Sequence, residues 1–222
     1  MLEELYILPV LLFSVVIHEI SHGYMALRLG DPTAKEMGRL TLNPIPHIDL
    51  VGSIIVPFFS LVVAGRILIA WAKPVPINPL NFSDYRKDSL LVSVVGPLSN
   101  ILLACICSLF VIVFLSASVF VHSWNSDVAD EFMNFGIKMF YGGLYLNIVL
   151  AVFNMIPIPP LDGSHVLASV LPTKLSEQYR SIGFLGIFLI LMLMRVEPFR
   201  ILFSWIIETL AFPLITLIHF FA

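Results

Sequence analysis

The sequence predicts an all-α polytopic membrane protein with about five transmembrane helices. Of its 222 residues, 59% are hydrophobic and only 12% are charged, which is about half the charged share of a typical soluble domain. Long stretches without a charged residue recur along the chain, as expected for helices that cross a bilayer. Twelve Lys and Arg residues against fifteen Asp and Glu residues give a net charge of −3, which provides no basic face for nucleic acid. We expect a single membrane domain over residues 1–222.

The uncharged stretches locate the predicted spans, because an ionised side chain at the middle of a bilayer costs roughly 2.5–3.5 kcal/mol. No Lys or Arg precedes Arg28 and no small-residue cleavage pattern follows, so we expect a retained first helix rather than a signal peptide. Proline suits the first turn of a helix, and Pro97 therefore marks the start of the second span. The five predicted spans are 5–29, 97–121, 139–156, 181–195 and 201–221.

The apolar segment 51–65 is too short for a straight span. Fifteen helical residues reach about 22 Å, against a hydrocarbon core of roughly 30 Å. Seven Lys and Arg residues lie between Arg28 and Lys87, whereas the loop 122–137 has none, so the positive-inside rule places the basic region in the cytosol. Residues 51–65 must then dip in and return. We predict five spans with a small cytosolic-side β or re-entrant element between the first two; a crossing at 51–65 gives the six-span alternative.

One motif in the first span carries chemistry. His18-Glu19-Ile20-Ser21-His22 matches H-E-x-x-H, in which two histidines four residues apart share a helix face and can bind one Zn²⁺. Glu19 lies one step around the helix, beside the open position of the metal. Ionisable side chains inside a membrane helix are costly and usually functional, which favours a metal site over two structural histidines.

A catalytic zinc site needs a third protein ligand. Asp162 is the only carboxylate between Lys138 and Pro172, and it follows a span that is broken by prolines. Unwound backbone at membrane depth is tolerated only where it lines a cavity. Charge counting places Asp162 at the cytosolic exit of its span, in the same leaflet as the two histidines. We therefore predict that the three side chains meet.

Taken together, these residues resemble the site-2 protease family of intramembrane zinc metalloproteases, in its compact branch without PDZ or CBS domains. The resemblance covers most of the chain, and its strength lies in the order of the motifs. Besides the zinc helix, they are Gly-Asp-Pro-Thr-Ala-Lys at 30–35, Gly-Arg-Leu-Thr-Leu-Asn-Pro at 38–44, Pro-His-Ile-Asp at 46–49, Ala-Lys-Pro-Val-Pro-Ile-Asn-Pro at 72–79, Gly-Pro-Leu-Ser-Asn at 96–100 and the run from Asn154 to Gly163.

The resemblance implies a zinc-dependent metalloendopeptidase that hydrolyses peptide bonds in or near transmembrane segments of membrane proteins. His18, His22 and Asp162 would hold one Zn²⁺, and Glu19 would handle protons. Asn154 matches a family asparagine that holds the substrate or the developing oxyanion. The catalytic core would occupy about 5–163, followed by C-terminal helices at about 181–221.

The sequence leaves the roles of three polar residues and one glycine pair open. His47 either lines the mouth of the active site or is a surface turn residue. Asn147 and Asn154 are seven residues apart and share a helix face, and Asn147 is more typical of an interhelical hydrogen bond. The pair Gly142-Gly143 indicates either close helix approach or room for a substrate strand.

The expected partners are a transmembrane protein substrate and the lipid bilayer, with no nucleic acid and with homo-oligomers left open. The expected location is a multi-pass membrane, the plasma (inner) membrane if the source is bacterial, with the active site towards the cytosolic side. The alternative is a non-proteolytic membrane metal-binding or transport protein. It predicts inverted repeats, but the two halves show no self-similarity, and it leaves Glu19 without a role.

Overall fold

The computed structural model describes residues 6–56, 58, 62, 71–122 and 127–221. The chain is helical throughout most of these residues, and no β-strand occurs among them. Eight α-helices lie wholly within them: α1 (Leu8–Arg28), α2 (Thr33–Glu36), α3 (Tyr85–His122), α4 (Asp127–Asn154), α5 (Asp162–Val170), α6 (Thr173–Arg180), α7 (Gly186–Leu193) and α8 (Glu197–Phe221).

Four of these helices, α1, α3, α4 and α8, are long and apolar enough to cross a membrane. The all-α membrane architecture is therefore confirmed. Within the predicted span 181–195 the structure has a shorter helical stretch. A 3₁₀ turn and α7 together cover Gly183–Leu193, which is about 16 Å of helix, or roughly half the thickness of the hydrocarbon core.

Two helices begin earlier than predicted. Pro97 lies inside α3, which starts at Tyr85, so the second span does not begin at 97. Membrane helices tolerate an internal proline because neighbouring groups satisfy the freed backbone. Helix α4 starts at Asp127 rather than 139, and its first turn contains Asp127 and Asp130. Acidic side chains suit this position because the N-terminus of a helix carries partial positive charge.

The helices α1, α3, α4 and α8 share one apolar core. Its buried members are Val10, Ala104, Cys107, Val111, Leu144, Ile148, Ala211 and Ile218. Glycine brings the helices close: a Cβ atom on Gly143 would lie 2.8 Å from Cγ1 of Val10 and 3.1 Å from Sγ of Cys107. The pair Gly142-Gly143 therefore serves close helix approach, one of its two predicted readings.

The predicted re-entrant or β element falls partly outside the described residues. A π-helical turn occupies Leu50–Ile55, and 57, 59–61 and 63–70 are not described. Residues 71–78 form an extended segment without regular secondary structure, as the prolines at 74 and 76 require. We call residues 71–78 the extended segment below.

The extended segment is hydrogen-bonded to the loops that follow α1. Trp71 N–H donates to the carbonyl oxygen of Gly52 at 3.1 Å, and Lys73 N–H donates to that of His47 at 2.9 Å. Near its end, Asn78 N–H donates to Oδ2 of the fully buried Asp31 at 2.7 Å. These bonds hold the segment against the C-terminal end of α1.

The chain breaks sharply after α4. Prolines at 157, 159 and 160 separate α4 from α5, which begins at Asp162. A Cβ atom on Gly163 would lie only 2.3 Å from the carbonyl oxygen of Met155, so a glycine is needed there for the start of α5 to return to the end of α4. The break thus places the first side chain of α5, Asp162, against the helix bundle.

Candidate metal centre

The buried face of α1 presents the two histidines. Buried residues recur every four positions at Ser14, His18, His22 and Ala26, the spacing of one helix face. His18 is 8% exposed and His22 is 7% exposed. Both imidazoles therefore point into the bundle, towards the beginning of α5.

Three potential ligand atoms converge there. Nε2 of His18 and Nε2 of His22 are 3.1 Å apart, and Oδ2 of Asp162 lies 3.1 Å from the first and 3.3 Å from the second. In a tetrahedral zinc site with bonds of about 2.0–2.1 Å, neighbouring ligand atoms are separated by about 3.3 Å. The triangle of donor atoms therefore has the size that zinc requires. Within the described residues, no other group of three His, Cys, Asp or Glu side chains could hold a metal.

The outer nitrogen of each imidazole is engaged by a hydrogen bond. Nδ1 of His22 lies 2.7 Å from the carbonyl oxygen of Val92, which can only accept, so this nitrogen carries the proton. Nδ1 of His18 lies 2.6 Å from Oδ1 of Asn100. Protonation at Nδ1 leaves a lone pair on Nε2, as a metal ligand needs.

The orientation of Asn100 is fixed by a chain of amides. Nδ2 of Asn147 donates to the carbonyl oxygen of Gly143 at 2.9 Å, so Oδ1 of Asn147 is its acceptor atom. Nδ2 of Asn100 donates to that oxygen at 3.0 Å, which turns Oδ1 of Asn100 towards His18. The expected interhelical hydrogen bond of Asn147 is therefore present, and it sets the tautomer of a candidate ligand.

These tautomers favour a cation at the centre. Two Nε2 lone pairs and a carboxylate oxygen meet with no proton between them, and Oδ2 of Asp162 is buried without a hydrogen-bond partner. Three electron-pair donors in this arrangement repel one another unless a positive ion lies among them.

Gly96 makes room for the two rings. A Cβ atom on Gly96 would lie 2.3 Å from Nε2 of His22 and 2.8 Å from Cε1 of His18. Sequence reasoning took Gly96 as part of a helix start and missed both it and Asn100 as parts of the site. The run Gly-Pro-Leu-Ser-Asn at 96–100 was the signal that could have found them.

Glu19 contacts the extended segment. Its Oε2 accepts a hydrogen bond from Val75 N–H at 2.7 Å, across 56 residues of sequence. Its other carboxylate oxygen makes no hydrogen bond within the described part of the chain. The carboxylate of Glu19 is therefore held at Oε2, and Glu19 directly follows His18 in the chain.

Asn154 and His47 are not joined to this cluster by hydrogen bonds in the described residues. Nδ2 of Asn154 donates to the carbonyl oxygen of Leu150 in its own helix at 2.9 Å. His47 is 3% exposed, and its Nε2 lies 3.0 Å from the carbonyl oxygen of Thr41. His47 is therefore a buried loop residue and not a surface turn residue.

The fold and the cluster define a class: an α-helical membrane protein with an H-E-x-x-H helix and an aspartate at metal-binding distance. Comparisons with known proteins identify it further. The sequence matches Peptidase family M50 over residues 6–194, and the chain belongs to this family, the site-2 proteases. It is an intramembrane zinc metalloprotease of the site-2 type.

Two relatives, each named a putative zinc metalloprotease, agree with this assignment. YwhC of Bacillus subtilis (strain 168) is 37% identical over 190 residues, which cover 84% of this chain and 79% of YwhC. Rip2 of Mycolicibacterium smegmatis (strain ATCC 700084 / mc(2)155) is 28% identical over 156 residues, which cover 68% of this chain and 52% of Rip2. No solved structure matches the chain. These relatives favour a peptidase over a non-proteolytic metal-binding or transport protein.

Proposed function

We propose that His18, His22 and Asp162 hold one Zn²⁺ and that Glu19 carries protons in the hydrolysis of transmembrane protein substrates. The single observation that supports this proposal most is the convergence of the three ligand atoms within 3.3 Å of one another. Both histidines are held in the tautomer that leaves Nε2 free. A zinc ion bound there would polarise the scissile carbonyl and increase the acidity of water.

Residues of the chain itself transfer the protons, orient the ligands and bind the substrate carbonyl. Glu19 accepts a proton from the attacking water and returns it to the leaving amine. The two imidazoles keep their geometry because Asn100 and the carbonyl oxygen of Val92 fix their outer nitrogens. Asn154, eight residues before Asp162, donates to the substrate carbonyl as its charge develops. For that role its amide must exchange the bond to Leu150 for one to the substrate.

The substrate must present an unwound backbone, because a helix hides its carbonyl groups in internal hydrogen bonds. We infer that a locally unwound substrate pairs with the polypeptide of residues 38–80 by β-addition. An apolar cavity of about 510 Å³ between α3, α4 and α8 could receive the part of the substrate that stays in the membrane. Its lining includes Pro97, next to Gly96, and Pro157, near the end of α4.

We also propose five spans, of which the fourth consists of α7, the 3₁₀ turn before it and their flanking residues. We further propose that the metal centre lies on the cytosolic side. His22 is six residues from Arg28, which lies in the last turn of α1 and suits a cytosolic interface. The membrane is the plasma (inner) membrane if the source is bacterial. His47 is proposed to shape the loop beneath the site, since its backbone carbonyl holds Lys73.

Replacing Glu19 by Gln tests this proposal. The purified E19Q variant in vesicles should retain one zinc per chain and lose cleavage of a model transmembrane substrate, because glutamine cannot accept the proton. Glu208→Gln is the matched control, because Glu208 lies in α8 and is exposed to the surroundings of the bundle. Cleavage by E19Q at the wild-type rate would disprove the role of Glu19.

A further inference from the structure

The contact between Glu19 and the extended segment is made by a backbone group that is flanked by prolines. Proline has no N–H, so Val75 supplies the only backbone donor in Pro74-Val75-Pro76. That donor bonds to Oε2 of Glu19 at 2.7 Å. The sequence thus places one hydrogen-bond donor, and no competing one, opposite the carboxylate.

The two prolines also stiffen the backbone at this point. Each ring fixes φ of its own residue near −65°, and each proline restricts the residue before it to extended conformations. Lys73 and Val75 are the residues so restricted. An N–H held in this way loses little further conformational freedom when it binds the carboxylate.

The flanks of Pro74-Val75-Pro76 are anchored independently of Glu19. Nη2 of the buried Arg39 donates to the carbonyl oxygens of Lys73 at 2.8 Å and Pro74 at 3.3 Å. Asp31 binds the backbone of Asn78 on the other side. The anchors come from the segments 30–35 and 38–44, which contribute no candidate ligand.

The side chain of Val75 is a further anchor, and it docks on the helix that carries Glu19. Val75 is 6% exposed, and a Cβ atom on Gly23 would lie 2.9 Å from its Cγ1. Gly23 follows His22 directly. The same residue therefore fixes the distance between the extended segment and α1 and supplies the bond to the carboxylate.

We propose that Pro74-Val75-Pro76 is a rigid bracket that positions the catalytic carboxylate of Glu19 through the N–H group of Val75. The bracket holds Oε2 and stops rotation of the carboxylate, so that Oε1 faces the reacting water. Val75 is thus a positioning residue, acting through Glu19. This inference rests on the proposed role of Glu19 as proton carrier.

An amide-to-ester replacement at Val75 isolates the N–H group. Incorporation of the α-hydroxy acid analogue of valine removes the donor and keeps the side chain and the chain path. We expect kcat on a model transmembrane substrate to fall about 10- to 100-fold, the range for loss of a hydrogen bond to a charged group. KM and the zinc content should stay within twofold of wild type.

Val75→Ala is the matched control, because it keeps the N–H and loses the packing against Gly23. Its kcat should exceed that of the ester variant by at least fivefold. In an E19Q background the ester should change the residual rate by less than twofold, since glutamine cannot accept the proton and positioning it brings no further gain. An ester variant with wild-type kcat, or one that loses zinc or raises KM instead, would overturn the inference.

The design separates this inference from the proposed function. If E19Q still cleaves, the assignment of Glu19 as proton carrier fails and the bracket loses its purpose. If E19Q is inactive while the ester variant cleaves normally, only the positioning role of Val75 fails.

Discussion

Gly96 gives the sharpest test of the metal centre, because a single methyl group there collides with two candidate ligands. In Gly96→Ala the new Cβ would lie 2.3 Å from Nε2 of His22, 2.5 Å from its Cε1 and 2.8 Å from Cε1 of His18. An ordinary contact between such atoms is about 3.5 Å. The ring of His22 must therefore move by about 1 Å or the helices must separate.

Neither adjustment is easy for this site. The ring of His22 is tied at Nδ1 to the carbonyl oxygen of Val92, four residues from Gly96 in the same helix. Metal ligands must be held within about 0.5 Å of their productive geometry, and a 1 Å misplacement can cost about 100-fold in rate. We expect G96A to lower zinc affinity at least tenfold and cleavage about 100-fold.

Zinc affinity can be measured by competition with a chromophoric chelator, and cleavage with a transmembrane model substrate. Gly142→Ala is the control, because its Cβ would meet only the flexible Ile7 side chain at 3.0 Å and Tyr6 at 3.3 Å. It adds the same methyl group to a membrane helix away from the metal centre. Wild-type zinc affinity and cleavage in G96A would refute the assignment of the two histidines as ligands in this geometry.

Two further predictions concern hydrogen bonds around the site. Asn100→Leu removes the acceptor of His18 Nδ1–H and should weaken zinc binding about 10- to 100-fold in a folded protein. The same chelator competition measures this change. Unchanged zinc affinity would contradict the role of Asn100 in fixing the tautomer of His18. Burial alone would raise the pKa of Asp31, but hydrogen bonds from Thr33, Asn78 and Asn81 lower it below its ordinary value. The hydrogen bond from Asn78 N–H to Asp31, which anchors the extended segment, is therefore fully formed above about pH 4. It is lost as the pH falls through the lowered pKa of Asp31. Hydrogen-exchange protection of the Asn78 amide should fall on acidification in wild type, whereas in Asp31→Asn it should be lower at neutral pH and show no such acid-dependent loss. Identical pH profiles would argue against this anchor.

Hydropathy predicted the first and last long helices closely, because one end of each lies at a charged residue, Arg28 in the first and Glu197 in the last. The predicted spans 5–29 and 201–221 correspond to Leu8–Arg28 and Glu197–Phe221. Hydropathy placed the starts of α3 and α4 too late, because these helices extend beyond their apolar stretches. The extra turns of α3 and α4 carry charged residues, which a rule based on uncharged segments assigns to loops.

The candidate ligands were accessible to sequence reasoning for local reasons. His18 and His22 share a face by their spacing, and Asp162 stands alone as a carboxylate in its region. Asn100 and Gly96 were missed because their roles depend on how α3 packs on α1. An amide or a glycine in a membrane helix has many uses, and only the contact between the helices selects one.

The Glu19–Val75 bond was also beyond the reach of sequence reasoning. The prolines predicted an extended path for residues 72–79, and the structure has this path as far as residue 78, before a 3₁₀ turn at Pro79–Asn81. Which side of that path faces α1 depends on the anchors at Asp31 and Arg39, two buried charged residues. Their partners are backbone atoms more than 30 residues away, and backbone partners leave no mark in composition or spacing.

The proposed ligand set has a consequence for biosynthesis, because 140 residues separate His22 from Asp162. At about 5–20 residues per second, the ribosome needs roughly 7–28 s to make the aspartate after the histidines. During that time the nascent chain has two of its three ligands and no complete metal site. A protease assembled in this order cannot bind metal through all three ligands until the start of α5 has been synthesised.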